Sequence, residues 1–240
     1  ARYPGAAFRR GTVDAVTGAL GAFRVVLDDG DVVEARRLVL ATGLRDRLPD
    51  IPGLAARWGA TVLHCPYCHG YEVADRRLGV LANHPAAAHQ AVLLPDWGPT
   101  TYFSQGRFAP DADTAARLAA RGVTIEHSPI VELLGTAPAL DGVRLADGRV
   151  CALGAVFTIP ESVPASPLAA HLGCAFDDGP LLPAIRVDAM RQTTVPGVYA
   201  AGDAASPMHS VTLAIAAGVI AGAGAHQSLV AEAAGGAPAR

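Results

Sequence analysis

Val198-Tyr199-Ala200-Ala201-Gly202-Asp203 is the stretch on which the reading of this chain turns. A β-branched residue, an aromatic and two alanines run into Gly202 and an acid, which describes a buried strand ending in a turn without bulk. Leu38-Val39-Leu40-Ala41-Thr42-Gly43 has the same form. Small residues at the ends of buried strands let a ligand come close to the backbone. The Asp203 carboxylate can accept hydrogen bonds from sugar-type hydroxyls. An apolar Ala/Gly-rich stretch from about Val211 to Val230 predicts a helix whose free N–H groups would point at an electron-rich ligand edge.

Outward from these two runs, strands alternate with helices. Phe23 to Leu27 and Val32 to Ala35 flank the turn Asp28-Asp29-Gly30 and predict a hairpin. Thr61 to Leu63, Leu78 to Ala82, Thr100 to Phe103, Val123 to Glu126 and Ala155 to Ile159 read as short buried strands. Ala86 to Leu94 and Ala112 to Arg121 read as helices between them. Val143 to Leu145 is expected to pair with Val150 to Leu153 across Ala146-Asp147-Gly148, and Ile185 to Asp188 reads as one more strand. Such alternation predicts α/β layers. Pro49, Pro52 and Gly53 break the chain near residue 50. The expected organisation is a first segment over 1–49, a central unit over 50–149 and a second segment over 150–240.

Composition excludes several chemistries. The 240 residues contain 19 Lys+Arg, all of them arginine, so there is no Walker lysine and no pyridoxal Schiff base. Net charge is −3 and the arginines are scattered, so no basic stripe marks a nucleic-acid surface. Ala1 to Arg10 has no apolar segment of the kind a signal peptide carries. The apolar run from Val211 to Ala225 stops at His226, short of the ~20 residues of a membrane span. Gly218 and Gly222 form a GxxxG spacing that suits a helix packed closely on a sheet. A cytoplasmic protein with no membrane or nucleic-acid partner is expected.

Cys65-Pro66-Tyr67-Cys68-His69 carries the chemistry. Two thiols two residues apart can close a small disulfide. At a helix start, backbone amides and the dipole favour the thiolate that exchange requires. His69 places a proton acceptor beside the pair. The same residues leave a zinc site, a c-type haem attachment and two buried structural cysteines open as alternatives. Zinc would need a second ligand pair, for which Cys151 and Cys174 are poorly spaced; these two read as core positions.

With Val39 to Gly43, Ile51-Pro52-Gly53, Cys65 to Gly70 and Arg191 to Ala204 in hand, the chain resembles the low-molecular-weight thioredoxin reductase family of flavoproteins from about residue 9 to the C-terminus. The resemblance implies a two-domain α/β protein: a Rossmann-like three-layer FAD domain, into which a unit like a pyridine-nucleotide domain is inserted. It implies FAD as cofactor, with Ala41, Thr42, Gly43 and Gly202 at the flavin nucleotide, Asp203 on the ribityl chain, and the amides of Val211 and Thr212 at the pyrimidine edge. It also implies that Cys68 meets the flavin and Cys65 exchanges with substrate, and that the protein is a homodimer.

Three departures shape the expected function. Where reductases carry a glycine-rich NADPH turn, this chain reads Leu81-Ala82-Asn83-His84-Pro85-Ala86, with Ser104-Gln105-Gly106 where basic residues would meet a 2′-phosphate. NADPH binding is therefore not expected. Reductases place an acid after CxxC; here it is His69, as in the FAD-dependent dithiol oxidases that close disulfides in small natural products. No Gly-x-Gly-x-x-Gly turn for the FAD pyrophosphate occurs, so the FAD domain is expected to be incomplete at its N-terminus. The expected activity is oxidation of a small-molecule dithiol with O2 as acceptor. An NADPH-dependent disulfide reductase and a non-catalytic remnant of the fold are the alternatives.

Overall fold

The computed structural model describes residues 3–179 and 182–235. The chain divides into two units, one of 1–45 and 162–240, the other of 46–161. The first unit opens with β1 (Val13–Ala19), β2 (Ala22–Leu27) and β3 (Val32–Ala35), an antiparallel meander in the order β1-β2-β3. The turn at Asp28-Asp29-Gly30 is where the sequence placed it. β1 went unread, because Thr17, Gly18 and Ala19 dilute its apolar alternation. β4 (Leu38–Leu40) follows, and β5 (Leu44–Arg47) leads out of the unit.

The second unit is built on β6 (Val62–Leu63), β7 (Leu78–Leu81), β8 (Thr100–Phe103), β9 (Thr124–Glu126) and a later strand. Between them lie α1 (Pro66–His69), α2 (Ala87–Leu93) and α3 (Ala112–Ala120). An excursion, β10 (Ile130–Leu134), β11 (Gly142–Leu145) and β12 (Val150–Ala152), forms an antiparallel sheet of its own. β13 (Ala155–Thr158) then enters the middle of the main sheet, whose order β6-β13-β7-β8-β9 is parallel throughout. All four residues of β7 and of β13 are buried, as central parallel strands covered on both faces require. Leu78, Val80, Tyr102 and Phe157 pack in one core with Ala87, Ala91 and Leu118 of the helices. Leu81, Phe103 and Val156 pack in another with Val143 and Leu145 of the excursion. The buried Arg57 ties this unit's loops by donating to the carbonyls of Ala139 at 2.8 Å, Gly53 at 2.7 Å, and Gly135.

The expected boundary after residue 149 moves. The chain leaves the second unit at 161/162, because β12 pairs with β11 and β13 is a central strand of that unit's sheet. The first crossing falls at 45/46 rather than at 49/50. β14 (Glu161–Pro164) pairs with β5, and α4 (Leu168–His171), β15 (Phe176–Asp177), β16 (Ala184–Ile185) and β17 (Val198–Ala200) follow. The strand expected over Ile185 to Asp188 shrinks to β16, which pairs with β15 alone.

β17 lies parallel to β4, with Val198 opposite Leu38 and Ala200 opposite Leu40. α5 (Val211–Ala233) is 23 residues long, close to the helix expected over about Val211 to Val230 and longer than the apolar run ending at Ala225. By length and composition alone it is sufficient to cross a membrane. Ala217 and Ala221 seat it against Tyr199 and Ala201. The GxxxG expectation fails in detail: Gly218 and Gly222 face open space, and Gly224 is the glycine pressed against Tyr199 and Met190.

Candidate functional site

The dithiol loop lies at the carboxyl end of β6. Cys65 is the N-cap of α1, with Pro66 at the first helical position, where a missing N–H costs nothing. The Cys68 backbone N–H donates to Cys65 Sγ at 3.2 Å, the bond through which a helix start steadies negative charge on sulfur. Both sulfurs are unbridged; Cys68 is exposed and Cys65 half-buried. The Cys68 thiol is pushed up to about 11, first by its hydrogen bond to Cys65, then by burial and by the charges of Cys65 and Glu72. Below that pH it keeps its proton. His69 sits one turn after Cys65, its N–H donating to the Cys65 carbonyl at 3.2 Å.

Trp97 frames the loop from behind. Its ring meets that of Tyr67 edge-on, with centroids 6.0 Å apart at 84°. The indole also fills the place beside Gly70 where a side chain would lie. Tyr67 and Tyr71 are left 76% and 86% exposed, an aromatic rim on the dithiol. Sequence reading missed Trp97, which is thirty residues away and has no pattern of its own. Cys174 is core, as expected, while Cys151 is only half-buried in β12.

The turn after β7 is closed by its own side chains. The Asn83 amide donates to the Ile159 carbonyl and accepts from Thr158 Oγ1 at 3.0 Å. His84 Nδ1 accepts the Ala86 N–H at 3.1 Å, and the Ala87 N–H goes to the His84 carbonyl at 3.0 Å. Ala82 N–H is spent on Phe103, and Pro85 has none. After β8, Ser104 is fully buried with its hydroxyl 3.0 Å from His127 Nδ1, and Gln105 Oε1 accepts from Ile130 N–H.

The first unit presents the opposite arrangement. β4 and β17 end side by side, held by a bond from Ala201 N–H to the Leu40 carbonyl at 3.0 Å. The structure therefore brings Ala41, Thr42 and Gly43 beside Gly202 and Asp203. Gly202 has φ +74° and ψ −160°, a conformation only glycine holds without strain, and Gly43 has φ +65° with open space around it. The Asp203 carboxylate has no protein partner among the described residues. Ser210, the N-cap of α5, makes no side-chain cap, so the first-turn amides near the exposed Val211 and Thr212 are left for a ligand. A carboxylate, two open glycine turns and free helix amides fit the ribityl and flavin part of FAD. The glycine-rich turn for its pyrophosphate is not in this sequence.

Relatives identify the family. A thioredoxin reductase of Gibberella zeae is 30% identical over 259 residues, covering 92% of this chain and 73% of that protein. The chain belongs to the thioredoxin reductase family. A solved oxidoreductase from Agrobacterium tumefaciens is 47% identical, covers 95% of this chain and 76% of that one, and superposes with a TM-score of 0.89. The thioredoxin reductase sirT of Leptosphaeria maculans is 30% identical over 83% of the chain, which spans only 65% of that relative's length. No protein-family model matches. The two-domain α/β flavoprotein fold of thioredoxin reductases is thus the fold of this chain, and the family is FAD-dependent.

Proposed function

We propose that this thioredoxin reductase relative is an FAD-dependent dithiol oxidase that closes a disulfide in a small molecule. The carrying observation is the turn after β7. The amides that a dinucleotide pyrophosphate would use are spent on the His84 ring and on the carbonyls of His84 and Phe103, and Pro85 has none, while the dithiol loop is intact. Electrons then enter from the thiol side rather than from NADPH.

In the oxidised state Cys65 and Cys68 form a disulfide. A substrate thiol gives its proton to His69 and attacks Cys65 Sγ. The Cys65–Cys68 bond breaks, and Cys68 Sγ leaves with the electron pair and takes up that proton. The second substrate thiol loses its proton and attacks the substrate sulfur of the mixed disulfide, releasing Cys65. The substrate has lost two electrons and two protons, and the pair is now a dithiol. Asp203 and the turns at residues 41–43 and 202 would hold FAD, which would supply a two-electron acceptor for the dithiol, with O2 as terminal oxidant. Tyr67 and Tyr71 provide an apolar rim for the substrate body. We place the enzyme in the cytoplasm as a homodimer.

The test is a paired measurement on FAD-loaded protein. A small 1,3-dithiol such as dihydrolipoamide should drive O2 uptake, and Cys65→Ser or Cys68→Ser should lower it by about 1,000-fold or more. Rapid NADPH oxidation with a disulfide acceptor, and no O2 uptake with dithiols, would replace this reading with a reductase.

A further inference from the structure

Gln90 is a polar side chain in the core of the second unit that no part of the reaction above uses. It lies in the middle of α2 and is only 7% exposed. Its Nε2 donates to the His64 carbonyl at 2.6 Å, across 26 residues of sequence. That carbonyl immediately precedes Cys65. The acceptor fixes the amide's orientation, since a flipped amide would set oxygen against oxygen. Gln90 Oε1 is consequently buried with no hydrogen-bond partner among the described residues.

Such an orphan costs about 1–3 kcal/mol, and an apolar side chain at this place would avoid it. An amide that is poor for stability, and whose side-chain hydrogen bond goes to the residue before the dithiol, calls for another explanation. We propose that Gln90 is a positioning residue: its N–H holds the His64 carbonyl, and so holds Cys65 at the N-cap angle at which Sγ receives the Cys68 amide. β6 ends at Leu63, and the neighbouring bonds, Cys68 and His69 N–H to the Cys65 carbonyl, lie on the helix side. Gln90 supplies a hold on the strand side. Its importance for turnover rests on the oxidase reading, but its effect on Cys65 does not.

The experiment uses the FAD-loaded enzyme, reduced with a phosphine, and follows iodoacetamide labelling of Cys65 by peptide mass spectrometry at pH 7. This readout needs neither substrate nor O2. Gln90→Met has similar length and removes the donor and the orphan together, so its melting temperature should stay close to the parent's. Its Cys65 labelling rate should fall about fivefold, with Cys151 labelling unchanged. In Gln90→Glu a protonated carboxyl can still donate to the His64 carbonyl, so labelling relative to the parent should recover as pH is lowered from 8 to 5.5. Parent-like labelling of Cys65 in folded Gln90→Met overturns the proposal. Should that variant fail to fold, a Gln90→Glu labelling ratio that does not change with pH overturns it equally. An enzyme that shows these labelling changes but no dithiol-driven O2 uptake would refute the oxidase and leave the role of Gln90 standing.

Discussion

The turn after β7 and the turns after β4 and β17 stand at the same kind of place, the carboxyl end of a parallel sheet, and are built in opposite ways. In the second unit Asn83 and His84 reach across and consume the polar groups there. In the first unit Gly43 and Gly202 leave the space open, Asp203 is unpaired among the described residues, and α5 begins without a side-chain cap. A strand end is thus a ligand site only where the chain declines to satisfy its own backbone. Where side chains do so, the same topology becomes structural support for a neighbouring feature, in this case the dithiol loop after β6.

The comparison can be broken most forcefully at its open side. On the proposed FAD site, Asp203→Ala would remove a charge-assisted bond to a ribityl hydroxyl, worth about 1.5–3 kcal/mol, so flavin affinity should drop roughly 10- to 100-fold. Flavin absorbance after desalting reads this directly, and undiminished retention would remove Asp203 from the cofactor site.

At the closed side, Asn83→Ala leaves the Ile159 carbonyl short of its donor, while the Thr158 hydroxyl keeps the Leu81 carbonyl at 3.1 Å. It should destabilise the second unit by about 2 kcal/mol in urea, without gain of NADPH oxidation. Appearance of NADPH turnover would mean that the filled turn alone had blocked the nucleotide.

The smallest effect concerns the dithiol. Cys68 is raised to about 11, so its labelling by iodoacetamide should climb only above about pH 10, despite its exposure. Glu72→Gln removes the weakest of the causes and should shift that profile slightly downward; a profile centred near pH 8 would refute the raised proton affinity of Cys68.

Much of the framework was legible because its signals are local. The buried runs at Leu78, Thr100 and Ala155, the turn at Asp28-Asp29-Gly30 and the CxxC-His run each announce themselves within a few residues. β1 and the short β16 were not read correctly, since a strand with few apolar residues is defined by its partner rather than by its own pattern. The second domain boundary was misplaced for a related reason. Nothing local in Ala155 to Thr158 says that it inserts between β6 and β7.

The amino-acid sequence by itself determined the chemistry: which residues carry thiols, which strand ends lack bulk, and that no lysine-dependent catalysis is available. Only tertiary structure decided how those groups are used. It placed Gln90 on the carbonyl before Cys65, Trp97 beside Tyr67, and Asn83 across to β13. Spacing along a chain encodes helices and strands. Hydrogen bonds between residues dozens of positions apart exist only once the sheet has set their distance.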